Sequence, residues 1–452
     1  MENPEPLSRT DAGFLALEDR RGLHMHAGCV LVFDGVAPAP AQLLERIRSS
    51  LGRAPRYGSV VVARGHLRVR PAWVEAPRFA LAEHVRHTAL PGAADDAELA
   101  QLAARVFSTR LDRGKPLWEL WLVDQLAGDR FALISKSHHA LIDGEGHRDL
   151  VSVLLDGEPD LRGPPVVARG APIPARRALA ALGGRAVASP PGLALALELA
   201  ARAREELESR NLDPFARAGA PPLTRLNPPI GSDRRYAWVE FGLGRLRSAK
   251  GRLGGTVNDA VLTVVAGALG RYLRAHGDDT DGLVLRALVP LADAGFGRLF
   301  ATYVPLPVGI EDPRRRHAEI SRALDGLRAS GRAVAAEVLV ELDGFAPPTI
   351  ISRAARLQAE QRAFNVAVTN VPGPQERRLL LGRELRSIYP ILPLARNQAV
   401  SVALVSYAGR LCFGLLADYD ALPDLDVLAR ALEDSLAELP KRPRAKRSRE
   451  QP

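Results

Sequence analysis

Arg130-Phe131-Ala132-Leu133-Ile134-Ser135-Lys136-Ser137 runs into His138-His139-Ala140-Leu141-Ile142-Asp143-Gly144, and Leu150, Val151, Leu154 and Leu155 then recur at helical spacing. A stretch of strand length, a tight turn that Gly144 completes and a helical period predict strand, loop and helix in succession, with the histidine pair ending the strand. Working outward, Leu117 to Asp124 reads as a neighbouring strand joined to the first through Ala127-Gly128-Asp129. Gly28 to Asp34 is a further strand, and Ala41 to Leu51 carries Leu43, Leu44, Ile47 and Leu51 at helical spacing. Beyond about Gly157 the composition changes to Pro, Gly, Ala and Arg, and order resumes at Arg235 to Phe241. A helix is predicted over Val257 to Leu273, and strands over Leu283 to Val289, Tyr303 to Val308, Phe364 to Thr369, Val400 to Ser406 and Leu411 to Ala417. The expected fold class is therefore α/β, in two domains: 1–160 and 226–440, joined by a connection over 161–225 and followed by a basic tail at 441–452.

The histidine pair points to proton transfer. A neutral imidazole is a natural base for a hydroxyl near neutral pH, and acyl transfer from a thioester to an alcohol needs little more. Adjacent strand residues face opposite ways, so one histidine addresses a substrate and the other is structural, and alternation alone does not say which. Asp143, four residues after His139, is placed to anchor the loop through an arginine or backbone amides. Two buried histidines capping a strand would give the same letters. A metal reading of His-x-x-x-Asp has two ligands where a catalytic metal wants three, and the spacing of His24, His26 and His147 nominates no third, so no metal site is expected. Asn258-Asp259 opens the second-half helix, where either residue caps free amides, and an Asn amide is also a donor for a developing oxyanion. Asn370-Val371-Pro372-Gly373-Pro374 is first of all a rigid turn.

Composition narrows the classes. With 452 residues, 46% hydrophobic and 25% charged, the chain reads as globular, and no apolar run reaches the length of a membrane span. The amino terminus lacks a secretory pattern, which predicts a cytoplasmic protein. Cys29 and Cys412 are too few and too far apart for a disulfide framework or a zinc site. The net charge of +9 falls to about +4 without Lys441, Arg442, Arg444, Lys446, Arg447, Arg449 and Glu450 of the tail. Aromatic residues are 5% and are not interleaved with basic runs, so nucleic acid is not an expected partner. Neither GxxxxGK[ST] nor GxGxxG occurs, which argues against nucleotide hydrolysis and nicotinamide chemistry.

Taken together, the segments resemble the bacterial wax ester synthase/acyl-CoA:diacylglycerol acyltransferase family over nearly the whole chain. The likeness rests on Pro6-Leu7-Ser8 with Asp11, Phe14-Leu15 and Met25-His26, on Lys115-Pro116-Leu117-Trp118-Glu119, and on the histidine motif. It continues through Thr224-Arg225-Leu226-Asn227-Pro228, Thr256-Val257-Asn258-Asp259-Ala260-Val261, Thr369 to Pro374 and Ser406-Tyr407-Ala408-Gly409. The resemblance implies two chloramphenicol-acetyltransferase-like domains of the CoA-dependent acyltransferase superfamily, with the active site in a tunnel between them. It implies a catalytic set of His139, His138, Asp143, Gly144 and Asn258, with His139 as general base and Asp143 mainly structural. Pro116, Leu117, Trp118 and Asp259 would lie on the substrate side. It further implies acyl-CoA as co-substrate without another cofactor, a diacylglycerol or fatty alcohol acceptor, and work at a membrane or lipid-body surface. The chain departs from the family pattern after Val289-Pro290, where Leu291-Ala292-Asp293 and later Phe300-Ala301-Thr302 replace the usual serine, arginine and Gly-Asn. Rival readings are another alcohol acceptor, a carrier-bound donor, or a silent lipid-binding protein.

Overall fold

Strand alternation and one crossing strand set the architecture of the chain, whose computed structural model describes residues 5–7, 15, 18, 23–62, 71–142, 149–155, 221–292, 299–329 and 364–440. The first half contributes β1 (Glu5–Pro6), β2 (His26–Asp34), β3 (Ser59–Val62), β4 (Ala72–Glu75), β5 (Val85–Ala89), β6 (Trp118–Leu126) and β7 (Arg130–His138). Its helices are α1 (Pro40–Ser50), α2 (Asp96–Ser108), α3 (His139–Ile142) and α4 (Leu150–Leu154). The second half contributes β8 (Arg234–Gly242), β9 (Leu285–Ala292), β10 (Leu299–Leu306), β11 (Val366–Pro372), β12 (Leu379–Leu380), β13 (Arg383–Ile391), β14 (Val400–Tyr407) and β15 (Arg410–Asp418). Its helices are α5 (Leu243–Leu253), α6 (Val257–Ala275), α7 (Pro313–Ala329) and α8 (Leu425–Glu438). Each strand read from the sequence is present within a few residues at either end.

The sheets do not follow the sequence halves. One six-stranded sheet runs β10-β9-β11-β14-β15-β8, wholly from the second half, whereas the other runs β12-β13-β2-β7-β6-β5 and so takes two strands from it. Strand β13 pairs antiparallel with β2, from Leu385 opposite Phe33 to Ile391 opposite Gly28, and covers an edge that would otherwise offer unpaired amides. Sequence periodicity reports a strand's faces and not its partner, and this segment carried no strand expectation. The crossing is close. A Cβ on Gly414 of β15 would lie 1.9 Å from the Pro390 carbonyl oxygen of β13, so only glycine lets the two strands pass. Tyr236 of β8 donates to the same carbonyl at 3.2 Å.

Alternation then gives the second sheet two jobs. Ala367, Val371, Ala403, Val405, Cys412 and Leu416 join the core of the first sheet. Their neighbours Val366, Val368, Val402, Leu404, Phe413 and Leu415 join a separate core with α6 and α8. Helix α6 sits deep in that core because Val261, Val265, Leu269 and Leu273, four apart on one face, are all buried. Helix α2 begins where Asp95 accepts from the amides of Ala97 and Glu98, and it lies against β8, with Ser108 accepting from the Arg234 amide. Among the described residues no single helix is long and apolar enough to cross a membrane; α5 and α6 meet length and composition together only as a pair bent by 100°.

Candidate functional site

The histidine motif begins where β7 ends. His138 is the last strand residue and His139 the first of α3, so alternation stops between them and does not decide the direction of His139. Both are buried. Backbone pairing fixes them from two sides: the His138 amide donates to Leu117 at 2.8 Å and the His139 amide donates to Met25 at 2.8 Å. Strand β7 is itself pinned by Lys136, fully buried, whose ammonium donates to the carbonyls of Val106 and Thr109 and pairs with Glu119 at 2.9 Å. Two of these acceptors lie at the carbonyl end of α2, where a cation is favoured. Burial pulls the Lys136 pKa down and Glu119 opposes it.

The two histidines have different surroundings. His138 accepts the Ala140 amide on Nδ1 at 3.1 Å, and its Nε2 lies 3.5 Å from Oε2 of Glu18. Glu18 is buried with Leu15 near Arg113, which donates to both, at 2.7 Å to the carboxylate and 2.8 Å to the Leu15 carbonyl. Burial alone would raise the Glu18 carboxyl, but the imidazoles of His138 and His26 hold it well below the carboxylate range. His26 Nε2 lies 3.4 Å from Glu18 Oε1, and the His24 and His26 rings stack with centroids 5.4 Å apart. Burial lowers the pKa of His24 to about 4 and that of His26 well below its ordinary value, with Glu18 opposing in both.

On another side of β7 the Ser137 hydroxyl is 3.3 Å from that of Tyr57, which donates to Asp149 at 2.8 Å. Asp149 caps α4 by accepting the Val151 amide. Its complete burial raises its pKa to about 6 against the opposing effect of these donors. The Pro116-Leu117-Trp118 segment flanks this arrangement as part of the core. All three residues are buried, Trp118 pairs in register with Ser137, and its indole donates to the Tyr57 carbonyl at 2.8 Å while stacking on His84. Asp143 and Gly144 lie outside the described residues, as do His147, residues 156–220 and the tail at 441–452.

The second-half residues gather at the start of α6. Thr256 caps the helix by accepting the Asp259 amide. The fully buried Asp259 carboxylate accepts from the hydroxyls of Thr256 and Ser321, the latter at 2.5 Å from α7. One turn on, Thr263 donates to the Asp259 carbonyl and meets His317 at 3.0 Å. Asp259 thus ties α6 to α7. Asn258 behaves differently: its Oδ1 accepts from Asn370 of β11 at 3.4 Å, whereas its Nδ2 is buried with no hydrogen-bond partner among the described residues. Two motifs 112 positions apart in sequence therefore meet. Of the departure from the family pattern, Leu291-Ala292 pairs with Leu299-Phe300, and Ala301 and Thr302 lie opposite Pro290 and Val289, whereas Asp293 lies outside the described residues.

Glu18, Tyr57 and Asp149 were not singled out in the sequence. Glu18 lies 8 residues before His26 and 120 before His138. Only its proximity to Met25-His26 in the opening segment hinted at a partnership.

Comparison with known proteins places the whole chain. The wax ester synthase/diacylglycerol acyltransferase catalytic domain matches residues 7–261, and the C-terminal domain of the same family matches residues 298–440. Two Mycobacterium tuberculosis proteins named as diacylglycerol O-acyltransferases are similar throughout. One is 30% identical over 449 residues, covering 96% of this chain and 95% of the relative; the other is 32% identical over 452 residues, covering 95% and 97%. The wax ester synthase/diacylglycerol acyltransferase from Marinobacter aquaeolei VT8 superposes with a TM-score of 0.68 at 27% identity, covering 96% of this chain and 98% of that one. The first condensation domain of the CDA synthetase superposes with a TM-score of 0.57 at 15% identity over 97% of this chain and 98% of that one, a likeness of fold alone. A chain with both family domains, a motif histidine sealed at a strand end and relatives matched along their whole length belongs to the wax ester synthase/diacylglycerol acyltransferase family and is an acyltransferase.

Proposed function

We propose that the protein transfers a long-chain acyl group from acyl-CoA to the hydroxyl of diacylglycerol or a fatty alcohol, giving triacylglycerol or wax ester, with His139 as general base. The observation that carries this reading is the fully buried imidazole at the β7–α3 junction of an acyltransferase, its backbone held by Met25. His139 takes the acceptor proton, the alkoxide attacks the thioester carbonyl, and the tetrahedral oxyanion collapses to ester and CoA thiolate, which recovers the proton from the imidazolium. The amide N–H of Asn258, without a hydrogen-bond partner among the described residues, supports a donor role toward that oxyanion, because a buried donor left unsatisfied is costly unless a ligand uses it. His138 and the Pro116-Leu117-Trp118 segment hold the end of β7 that carries His139. No protein nucleophile or cofactor beyond acyl-CoA is needed. The reaction runs in a passage between the two halves, at a membrane or lipid-body surface where both substrates partition.

The test is CoA release by the purified chain from palmitoyl-CoA with hexadecanol, with diolein or with no acceptor. Release that depends on an acceptor ranks the two alcohols and supports the transferase reading. No release with either alcohol from a folded protein would overturn it in favour of a different donor or acceptor.

A further inference from the structure

We propose that Glu18, His24 and His26 bind one divalent transition-metal ion, zinc by their donor set, at a site separate from the reacting groups. The sequence alone gave His24 and His26 no third ligand; the fold supplies Glu18. One ligand atom from each residue lies within 4.8 Å of the other two, and the three side chains are 3%, 5% and 1% exposed. The His26 Nε2 to Glu18 Oε1 separation of 3.4 Å is longer than a good hydrogen bond. It is the separation expected of two ligands about 2.0–2.1 Å from a tetrahedral zinc, which stand about 3.3–3.4 Å apart.

The polar atoms of the cluster are otherwise unused. Both nitrogens of His24, both of His26 and Oε1 of Glu18 are buried without a hydrogen-bond partner among the described residues. Five such atoms in one place are far outside the usual economy of a protein interior, where nearly every buried polar atom is paired. Arg113 holds Oε2 of Glu18 at 2.7 Å, which leaves Oε1 to face His26. Two imidazoles and one carboxylate are a common zinc set with a fourth position for solvent. The ion would clamp the segment around Met25, whose carbonyl accepts the His139 amide, and would thereby brace the first residue of α3. The proposal does not depend on which substrates the enzyme takes.

The experiment is elemental analysis of the purified full chain after incubation with zinc sulfate and desalting, with the same treatment of His24→Ala, Glu18→Gln and the surface control His87→Ala. Thermal unfolding with and without added zinc accompanies it. The expected result is about one zinc per chain in the wild type and in His87→Ala, with affinity reduced about a hundredfold or more in the two ligand variants. Zinc should raise the melting temperature of the wild type and not that of His24→Ala. Cobalt in place of zinc should give the visible absorption of a tetrahedral site. Only traces of zinc on a folded wild type, or equal zinc on wild type and His24→Ala, would overturn the proposal. Glu18→Gln carries the comparison if His24→Ala does not fold.

Discussion

The histidine end of the site and the asparagine end, both buried, treat their polar atoms in opposite ways. Around His138 the rings of His24 and His26 and one oxygen of Glu18 have no hydrogen-bond partner among the described residues. At the start of α6 Asp259 is taken by Thr256 and Ser321, and Thr263 and His317 bond to each other, while Asn258 Nδ2 has no hydrogen-bond partner among the described residues. An unpaired buried polar atom lowers stability, so its persistence marks a place where a ligand or a reaction uses it, whereas a satisfied network marks structure. The difference separates Asn258 from Asp259, adjacent residues that the sequence offered as one motif.

The strongest break of this comparison is His139→Ala, which is expected to lower turnover about a hundredfold or more in a protein that still folds, measured as acceptor-dependent CoA release. Next comes Asn258→Ala. Removing an open donor should cost about a hundredfold in kcat and little stability, a split that steady-state kinetics and thermal unfolding read together. Asp259→Ala should do the reverse, losing about 1–3 kcal/mol as the Ser321 and Thr256 hydroxyls and the start of α6 lose their acceptor, with kcat within several-fold of wild type in denaturant-matched assays. His138→Ala belongs with Asp259, since its ring touches Glu18 and the Ala140 amide: a lower melting temperature with residual turnover is expected.

The last effect is a pH slope, which leaves turnover aside. Asp149 has its pKa raised to about 6 by burial, so the native state binds more protons than the unfolded state between the two pKa values. Its contribution is therefore fully favourable below about pH 4 and is lost as pH rises toward 6, by up to about 3 kcal/mol. The check is the slope of stability against pH in urea unfolding: between pH 4 and 6 it should be more negative in the wild type than in Asp149→Asn, whatever the absolute cost of losing a cap acceptor.

Much of this molecule was legible because its strands announce themselves. Arg130 to His138 opens on the apolar run Phe131 to Ile134 after a glycine turn, Leu411 to Ala417 is an apolar run, and the four-residue spacing of Val257 to Leu273 is a helical face; each is an element where expected. Partnership was not legible. Nothing in Arg383 to Ile391 says that this strand leaves its own half to pair with β2, and Gly414 is intelligible only once Pro390 is seen against it. The site divides the same way. His138, His139 and Asn258 stood out by residue type and spacing, but Glu18, Tyr57 and Asp149 act through contacts 8, 80 and 92 positions away or more, which no local pattern encodes. The direction of His139 was not legible either, since the strand ends one residue before it.

The most direct test of the account is single-turnover acyl transfer from radiolabelled palmitoyl-CoA by the wild type and His139→Ala at matched fold content, verified by circular dichroism. The account predicts ester formation in the wild type and a rate lower by about a hundredfold or more in the variant, with acyl-CoA still bound. A folded His139→Ala protein that forms ester at the wild-type rate would contradict it.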